Sequence, residues 1–237
     1  MFGRRKATTP GGTYFNVYRD MAEQTHLLIA GKTGAGKSVV INGIIHSLLV
    51  DKFPAECQLI LIDPKRVELS QWRNTPHCTF YASEPGEPCK ALKIALQITE
   101  TRYKEMQKKG QRKYGGGHVY VIIDELADLI TTCKTELLPL LQRLAQIGRA
   151  ANVHIIAATQ CPLAKVIPTE VKVNFDAVLG LRTVTAQHSR NIIGRTGCET
   201  LPAYGFGYYD TPNGSTLQTL PMVADNETRR VITHWTH

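Results

Sequence analysis

The amino-acid sequence predicts an α/β fold with a mostly parallel central sheet and helices on both of its faces. Short apolar runs rich in β-branched residues alternate with longer helical stretches, which is the pattern of repeated βαβ units. The apolar runs are almost continuous and lack the alternation of a half-exposed strand. Strands of that kind are covered on both faces, as in the parallel sheets of α/β proteins.

The individual strands and helices follow from the same two patterns. The predicted strands cover residues 26–30, 58–62, 119–123, 153–158 and 177–181, and the predicted helices cover 37–50, 88–109, 136–151 and 186–193. A C-terminal β-hairpin is predicted around Asn213-Gly214, because this dipeptide suits a tight turn. A short amphipathic helix at 225–235 is expected to close the fold. We therefore expect a lead-in segment at residues 1–24 and one domain at residues 25–237.

The composition narrows the class of protein. The chain has 237 residues, of which 43% are hydrophobic and 20% charged, and this predicts a soluble globular domain with one core. The formal net charge of +8 favours an acidic partner such as nucleic acid. No apolar run approaches the roughly 20 residues of a membrane span. The six cysteines lack zinc-site spacing, which predicts reduced thiols and a cytoplasmic location.

Residues 31–38, Gly-Lys-Thr-Gly-Ala-Gly-Lys-Ser, fit the phosphate-binding pattern G-x-x-x-x-G-K-S. They follow a predicted strand and open a predicted helix, the context that separates a working P-loop from a glycine-rich loop that binds nothing. In such a loop Lys37 reaches the β- and γ-phosphates and Ser38 ligates Mg²⁺. We therefore expect a nucleotide with Mg²⁺, and the nucleotide-binding residues are predicted to be Thr33, Gly34, Ala35, Gly36, Lys37, Ser38 and Val39.

An acidic pair, Asp124 and Glu125, follows the apolar strand predicted at 119–123. At the tip of a buried strand, Asp124 is expected to bind Mg²⁺ and Glu125 to orient the attacking water. The pair favours ATP hydrolysis, and no N-K-x-D guanine signature occurs in the sequence. The alternative interpretation of Glu125 is a carboxylate that only starts a helix.

Gln160 ends the strand predicted at 153–158 and could contact the γ-phosphate from the middle of the sheet. From the residues alone, an ordinary strand-to-loop turn is an equally good interpretation of this position.

The chain resembles the motor domain of the FtsK/SpoIIIE DNA translocases, in the HerA/FtsK branch of P-loop ATPases. The resemblance spans about residues 25–235 and rests on motifs in the family's order, namely HLLIAGKTGAGKSVVINGIIHSLL (26–49), LILIDPKRVELSQW (59–72), TRYKEMQKKGQRKY (101–114), VYVIIDELADLI (119–130), RAANVHIIAATQCP (149–162), HSRNIIG (188–194) and RRVITHW (229–235). It implies a RecA-like P-loop NTPase fold. It also implies a hexameric ring with double-stranded DNA in the pore and ATP hydrolysed between neighbouring subunits.

The resemblance also implies roles for individual residues. Gln160 matches the γ-phosphate sensor, and Arg149 matches an arginine that reaches the ATP of the neighbouring subunit. Thr159, Lys172 and Arg190 match pore-facing positions that contact DNA. Alternatives exist for three of them: a cation at a helix C-terminus for Arg149, a solvated surface charge for Lys172, and a helix-start salt bridge for Arg190.

Some positions depart from the family pattern or have no assigned role. Cys161 stands where the family usually has an arginine after Ala-Thr-Gln, so one basic pore contact is missing. Lys32 replaces a small residue of the P-loop. Asp63, Lys65 and Glu68 match a family signature, but for Asp63 a structural turn is as good an interpretation as support of the site.

The biological process is a further expectation. The large cell-division translocases carry membrane spans, a second motor lobe and a winged-helix DNA reader, which this sequence does not show, so we expect a stand-alone motor of a mobile element or phage. A conjugative coupling or DNA-packaging ATPase would use the same chemistry. A protein-export ATPase of the type VII kind shares the fold but engages peptides. A nucleotide-gated assembly module with little turnover is disfavoured by the complete set Lys37, Ser38, Asp124 and Glu125.

Overall fold

A sheet of eight strands forms the centre of the part of the chain that the computed structural model describes, which is residues 26–160, 168–220, 223 and 225–236. The strands are β1 His26–Ala30, β2 Cys57–Ile62, β3 Cys78–Ala82, β4 His118–Ile123, β5 Val153–Thr159, β6 Ala177–Gly180, β7 Phe206–Thr211 and β8 Gly214–Thr219. Their order across the sheet is β3-β2-β4-β5-β1-β6-β7-β8. β1 to β6 run parallel, and β7 and β8 form an antiparallel hairpin at one edge. The predicted lead-in segment at residues 1–24 and Cys161 lie outside the described residues.

Six helices cover the two faces of the sheet in this part of the chain. They are α1 Lys37–Leu49, α2 Glu87–Lys109, α3 Leu126–Ile147, α4 Thr169–Lys172, α5 Ala186–Ile193 and α6 Asp225–Thr236. Short 3-10 turns at Ser70–Trp72, Arg149–Ala151 and Cys198–Thr200 precede β3, β5 and β7. One core lies between the sheet and α1 with α6, and the other lies between the sheet and α2, α3 and α5. The predicted α/β fold with a mostly parallel sheet and a C-terminal hairpin is confirmed.

The strands are continuously apolar because they contribute side chains to both cores. In β1, Leu27 and Ile29 point to the α1 side, while Leu28 and Ala30 point to the α2 and α3 side. Successive side chains of a strand face opposite ways, so both sets must be apolar when both faces are covered. None of the helices in the described ranges combines the length and apolar character that a membrane crossing requires.

The position of β5 between β1 and β4 decides which segments meet at the site. Parallel strands end at the same edge of a sheet, so the residues that follow β1, β5 and β4 lie side by side. The register agrees, because Ala30 pairs with Thr159 and Ile123 pairs with Ala157. The opposite edge carries the segments that precede the strands, including residues 110–117 and 148–152.

Strand β3 is absent from the predicted elements. It is a five-residue strand, and most of its side chains are only partly buried, so no continuous apolar run marks it. Its hydrogen bonds come from β2, a segment distant in sequence, and the backbone N–H of Asp63 extends the pairing by donating to Ala82 O at 2.8 Å.

Helix α3 differs most from its prediction at 136–151, because it begins at Leu126, ends at Ile147 and is followed by the turn Arg149–Ala151. It is kinked at Cys133, where φ is −137° and ψ is 35°. Thr131 and Thr132 before the kink are β-branched, and their hydroxyls bond back to carbonyls of the preceding turn, which weakens the helical signal. Burial of the apolar residues of the first turns against the sheet overrides that weak local preference.

Candidate nucleotide-binding site

The loop after β1 has the shape that its glycines permit. Gly34 and Gly36 have φ values of 74° and 93°, in the left-handed region that favours glycine. Lys37 opens α1 and is buried, and its Nζ donates to the carbonyls of Gly31 and Lys32, both at 2.8 Å. Burial lowers the pKa of Lys37, while the carboxylates of Glu125 and Asp124 act in the opposite direction. The ammonium group therefore sits inside the curled loop with two carbonyl partners that a phosphate would replace.

The predicted nucleotide-binding residues 33–39 form this one loop and the first turn of α1. Thr33 and Gly34 are exposed, Ser38 is half-buried, Val39 is exposed, and Ala35 is buried in the α1-side core. The N-terminus of α1 thus lies beside the loop, with backbone N–H groups and the positive end of the helix dipole available to an anion.

Asp124 follows β4 at the same edge and is crowded by like charges. It is 9% exposed, and its backbone N–H donates to Ile62 O at 3.1 Å. Burial raises the pKa of Asp124 to about 6, and the carboxylates of Asp63, Glu68 and Glu125 add to the rise against a smaller effect of Lys65. A cation bound at Asp124 would relieve this repulsion.

Glu125 does not act as a helix cap. It precedes α3 and is 2% exposed, yet its side chain forms no capping hydrogen bond to that helix. Instead, Oε1 and Oε2 accept from the backbone N–H of Gln160 at 3.1 and 3.2 Å. Glu125 therefore stands at the start of α3, and its carboxylate also binds the residue that follows β5.

Gln160 joins the loop to the acidic pair. Its backbone holds Glu125, and its side-chain Oε1 accepts a hydrogen bond from Thr33 Oγ1 at 2.6 Å. This double contact is possible because β5 lies between β1 and β4. The structure thus brings Lys37, Ser38, Asp124, Glu125 and Gln160 to one edge of the sheet.

The residues at this edge fit Mg²⁺ bound together with a nucleotide. Among the described residues, no group of three or more His, Cys, Asp and Glu side chains is arranged to hold a metal ion. Mg²⁺ needs none, because it usually takes one or two protein ligands together with phosphate oxygens and water. Asp124 and Ser38 would supply those ligands, and the raised pKa of Asp124 marks negative charge that a cation offsets.

Asp63 has a position that sequence reasoning left open. It is fully buried, and its Oδ2 accepts from Leu69 N at 3.0 Å and from Tyr81 Oη at 3.2 Å. Its Oδ1 has no hydrogen-bond partner. Asp63 therefore holds the turn after β2 and also places a buried negative charge beside Asp124. The signals in the sequence are an aspartate that ends an apolar strand and its match to a family signature.

Lys65 and Glu68 belong to the same turn. Lys65 is exposed and pairs with Asp128 on α3 at 3.0 Å, which ties the turn to the helix that follows Glu125. Glu68 is half-buried and contributes to the repulsion at Asp124.

Arg149 is remote from this site. It is exposed in the turn between α3 and β5, at the edge opposite the P-loop. β5 has seven residues, so the two edges are about 20 Å apart. Arg149 therefore does not contact the nucleotide site of its own chain, and its place beyond the α3 C-terminus also fits the alternative of a cation complementing the helix dipole.

The predicted DNA-contacting residues are placed differently from one another. Thr159 is fully buried at the end of β5, which argues against a direct contact with DNA. Lys172 is half-buried, its Nζ donates to Asn191 O at 2.8 Å, and burial lowers its pKa, so it is not a solvated surface charge. Arg190 is exposed in the last turn of α5, not at a helix start.

Comparison with known proteins identifies the family. Residues 9–119 match the FtsK/SpoIIIE family. The DNA translocase FtsK of Brucella melitensis is 34% identical over an alignment that covers 92% of this chain and 32% of the relative. The chain belongs to the FtsK/SpoIIIE family. This FtsK/SpoIIIE chain spans about a third of the length of the curated relatives that it matches.

Solved structures show the same fold at low sequence identity. The pCW3 conjugation coupling protein TcpA, solved with ATPγS, has a TM-score of 0.81 and 21% identity, over 96% of this chain and 68% of TcpA. The cytoplasmic domain of the type VII secretion ATPase EccC of Thermomonospora curvata has a TM-score of 0.75 and 19% identity, over 89% of this chain and 28% of EccC. The predicted P-loop ATPase fold is confirmed.

Replacing Asp124 is expected to stabilise the nucleotide-free protein. Asp124→Asn removes one of several clustered negative charges, so Tm at pH 7 should rise, by roughly 2–4 °C for each kcal/mol gained. The gain in Tm on adding MgATP should shrink at the same time, because the Mg²⁺ ligand is weakened. Differential scanning fluorimetry measures both.

The control is Asp128→Asn, an exposed carboxylate on α3 that pairs with Lys65 and should change Tm little. A Tm of Asp124→Asn below that of the unaltered protein without nucleotide would contradict the assigned repulsion.

Proposed function

We propose that this chain is an ATP-driven motor that moves double-stranded DNA as one subunit of a hexameric ring. The observation that carries the proposal is the convergence of Lys37, Asp124, Glu125 and Gln160 at one edge of the sheet, while Arg149 lies at the other. The curated relatives named DNA translocase FtsK support the same activity.

Each residue at the site has a proposed task. Bound MgATP would supply the transferable phosphoryl group, and its Mg²⁺ and phosphates would supply the charges that the site residues bind. Lys37 leaves the loop carbonyls to bind phosphate oxygens, and Ser38 and Asp124 hold the metal. Glu125 orients water and takes its proton. Gln160 contacts the γ-phosphate with the side chain that now bonds to Thr33.

The placement of Arg149 supports the proposed ring. Phosphoryl transfer is accelerated by an arginine that stabilises charge on the transferring group. Lys37 of the same chain holds phosphates, but Arg149 is about 20 Å away at the far edge. We propose that the Arg149 edge of one subunit packs against the nucleotide edge of the next, so that each site is completed in trans.

The three residues proposed to contact DNA differ in their exposure and in their hydrogen bonds. Arg190 is exposed and can reach a phosphate as it stands. Lys172 would first have to leave Asn191 O, and Thr159 would act through the backbone or by supporting the segment that follows Gln160. The net charge of +8 supports a nucleic acid partner.

The biological setting is a separate proposal. We favour a motor of a mobile element or phage that works in the cytoplasm, where the free cysteines of the described part would stay reduced. The likeness to the coupling protein TcpA favours conjugative transfer as a second candidate. The likeness to EccC keeps protein export as a candidate of another class.

Replacing Glu125 tests the catalytic assignment. Glu125→Gln removes the base but keeps the shape, so ATP turnover should fall by about 10²–10⁴-fold while ATP binding is retained. Steady-state hydrolysis and equilibrium binding of a fluorescent ATP analogue measure the two effects. Glu136→Gln is the matched control, because Glu136 is an exposed glutamate on α3 that pairs with Lys93. Hydrolysis by Glu125→Gln at the rate of the control would refute the assignment.

Duplex DNA should stimulate the ATPase, and the stimulation should fall steeply with salt because phosphate contacts release counterions. Arg190→Ala should raise the DNA concentration needed for half-maximal stimulation, whereas Arg143→Ala, an exposed arginine on α3, should not. The measurement is the ATPase rate against added duplex, with poly-glutamate as a polyanion control. Equal stimulation by poly-glutamate, or stimulation by export-signal peptides alone, would reject DNA as the substrate.

A further inference from the structure

Arg102 on α2 is a buried cation that forms no ion pair in the described part of the chain. It is 8% exposed, and none of the ion pairs between described residues includes it. Its Nη1 donates instead to the carbonyls of Ala151 at 2.7 Å and Asn152 at 3.1 Å, and its guanidinium stacks 4.5 Å from the centre of the Tyr114 ring. Burial lowers the pKa of Arg102. Burying a charge without a counter-ion costs free energy, which these hydrogen bonds and the ring contact must offset.

The hydrogen bonds of Arg102 end on the turn that carries Arg149. Each carbonyl of residues 150–152 accepts a hydrogen bond from outside the turn. The backbone N–H of Tyr114 donates to Ala150 O at 2.8 Å, and Arg102 donates to the other two carbonyls. The backbone that follows Arg149 is therefore tied to α2 and to the segment after it at three successive residues.

The side chain of Asn152 adds hydrogen bonds that run from the turn to the segment after α2. Its φ of 53° is in the left-handed region, and its Nδ2 donates to Tyr114 O and Gly116 O, both at 3.0 Å. On the other side of Arg149, a Cβ on Gly148 would lie 2.5 Å from Val153 O, so the backbone is closely packed there as well. The turn has little freedom to shift, while the Arg149 side chain is exposed.

We propose that Arg102, together with Tyr114 and Asn152, positions Arg149 so that it reaches the nucleotide of a neighbouring subunit. Arg102 acts only through Arg149 and is a positioning residue. The inference rests on the proposed trans role of Arg149. A displacement of about 1 Å at a catalytic group can cost up to about 10²-fold in rate, so a rigid turn matters for an arginine that acts across an interface.

The test compares Arg102→Met with Arg143→Met, a matched loss of an arginine that is exposed on α3 and pairs loosely with Glu100. The readouts are single-turnover ATP hydrolysis by the assembled protein with duplex DNA, and the KM for ATP. Arg102→Met should slow hydrolysis by about 10-fold or more. Its KM should stay within about twofold, because the P-loop of the same chain lies at the other edge. Arg143→Met should behave like the unaltered protein.

Repeating the comparison in an Arg149→Ala protein distinguishes positioning of Arg149 from general stabilisation of the fold. In an Arg149→Ala protein, Arg102→Met should cause no further loss of rate, since the group that it positions is gone. Arg102→Lys should recover part of the rate, because an ammonium group can bond the same carbonyls but lacks the planar guanidinium that stacks on Tyr114. Asn152→Gly tolerates the left-handed backbone and removes the Nδ2 donor without adding a charge, so it tests the same idea if Arg102→Met folds poorly by thermal unfolding.

The inference is overturned if Arg102→Met and Asn152→Gly hydrolyse ATP at the unaltered rate, or if they slow the Arg149→Ala protein by the same factor as the unaltered one. Failure of the proposed function looks different. In that case Arg149→Ala itself would turn over like the unaltered protein, whatever residue stands at 102.

Discussion

The hydrogen bonds made by Gln160 depend on one topological constraint, the insertion of β5 between β1 and β4. With that order, the residue that follows β5 lies between the P-loop and the acidic pair and contacts both. Thr33 and Glu125 are far apart in sequence, yet one residue links them. In the proposed function, a change in the phosphate contact of Gln160 would therefore alter the surroundings of Glu125 and connect nucleotide sensing to water activation.

Helix α3 extends this connection across the molecule. It begins directly after Glu125 and ends two residues before Arg149, so one helix links the proposed catalytic base of one nucleotide site to the arginine proposed for the next. At each end, side chains from neighbouring elements hold the helix: Lys65 pairs with Asp128 near the start, and Tyr103 Oη donates to Ile147 O at 3.0 Å near the end. The kink at Cys133 lies between them.

Sequence reasoning selected residues that the structure brings together at one edge of the sheet, but it missed parts of the architecture. Lys37, Ser38, Asp124 and Glu125 are predictable because phosphate and metal binding demand those residue types at the ends of apolar strands. The strand order is not predictable in this way, since apolar periodicity carries no information about neighbours in a sheet. β3 and the first half of α3 depend on pairing and packing with distant segments. The burial of Thr159 and the bond from Lys172 to Asn191 are likewise tertiary effects, which a resemblance of motifs does not reveal.

The central claim is that each nucleotide site is built from two subunits, and mixing two inactive proteins tests it most directly. Arg149→Ala retains the base and lacks the arginine, while Glu125→Gln retains the arginine and lacks the base. In mixed assemblies, a Glu125 site can face an intact Arg149 of the neighbour, so the account predicts that ATPase activity reappears on mixing and passes through a maximum as the ratio is varied. A rate that equals the sum of the two separate proteins at every ratio, in mixtures shown by cross-linking to co-assemble, would contradict the account.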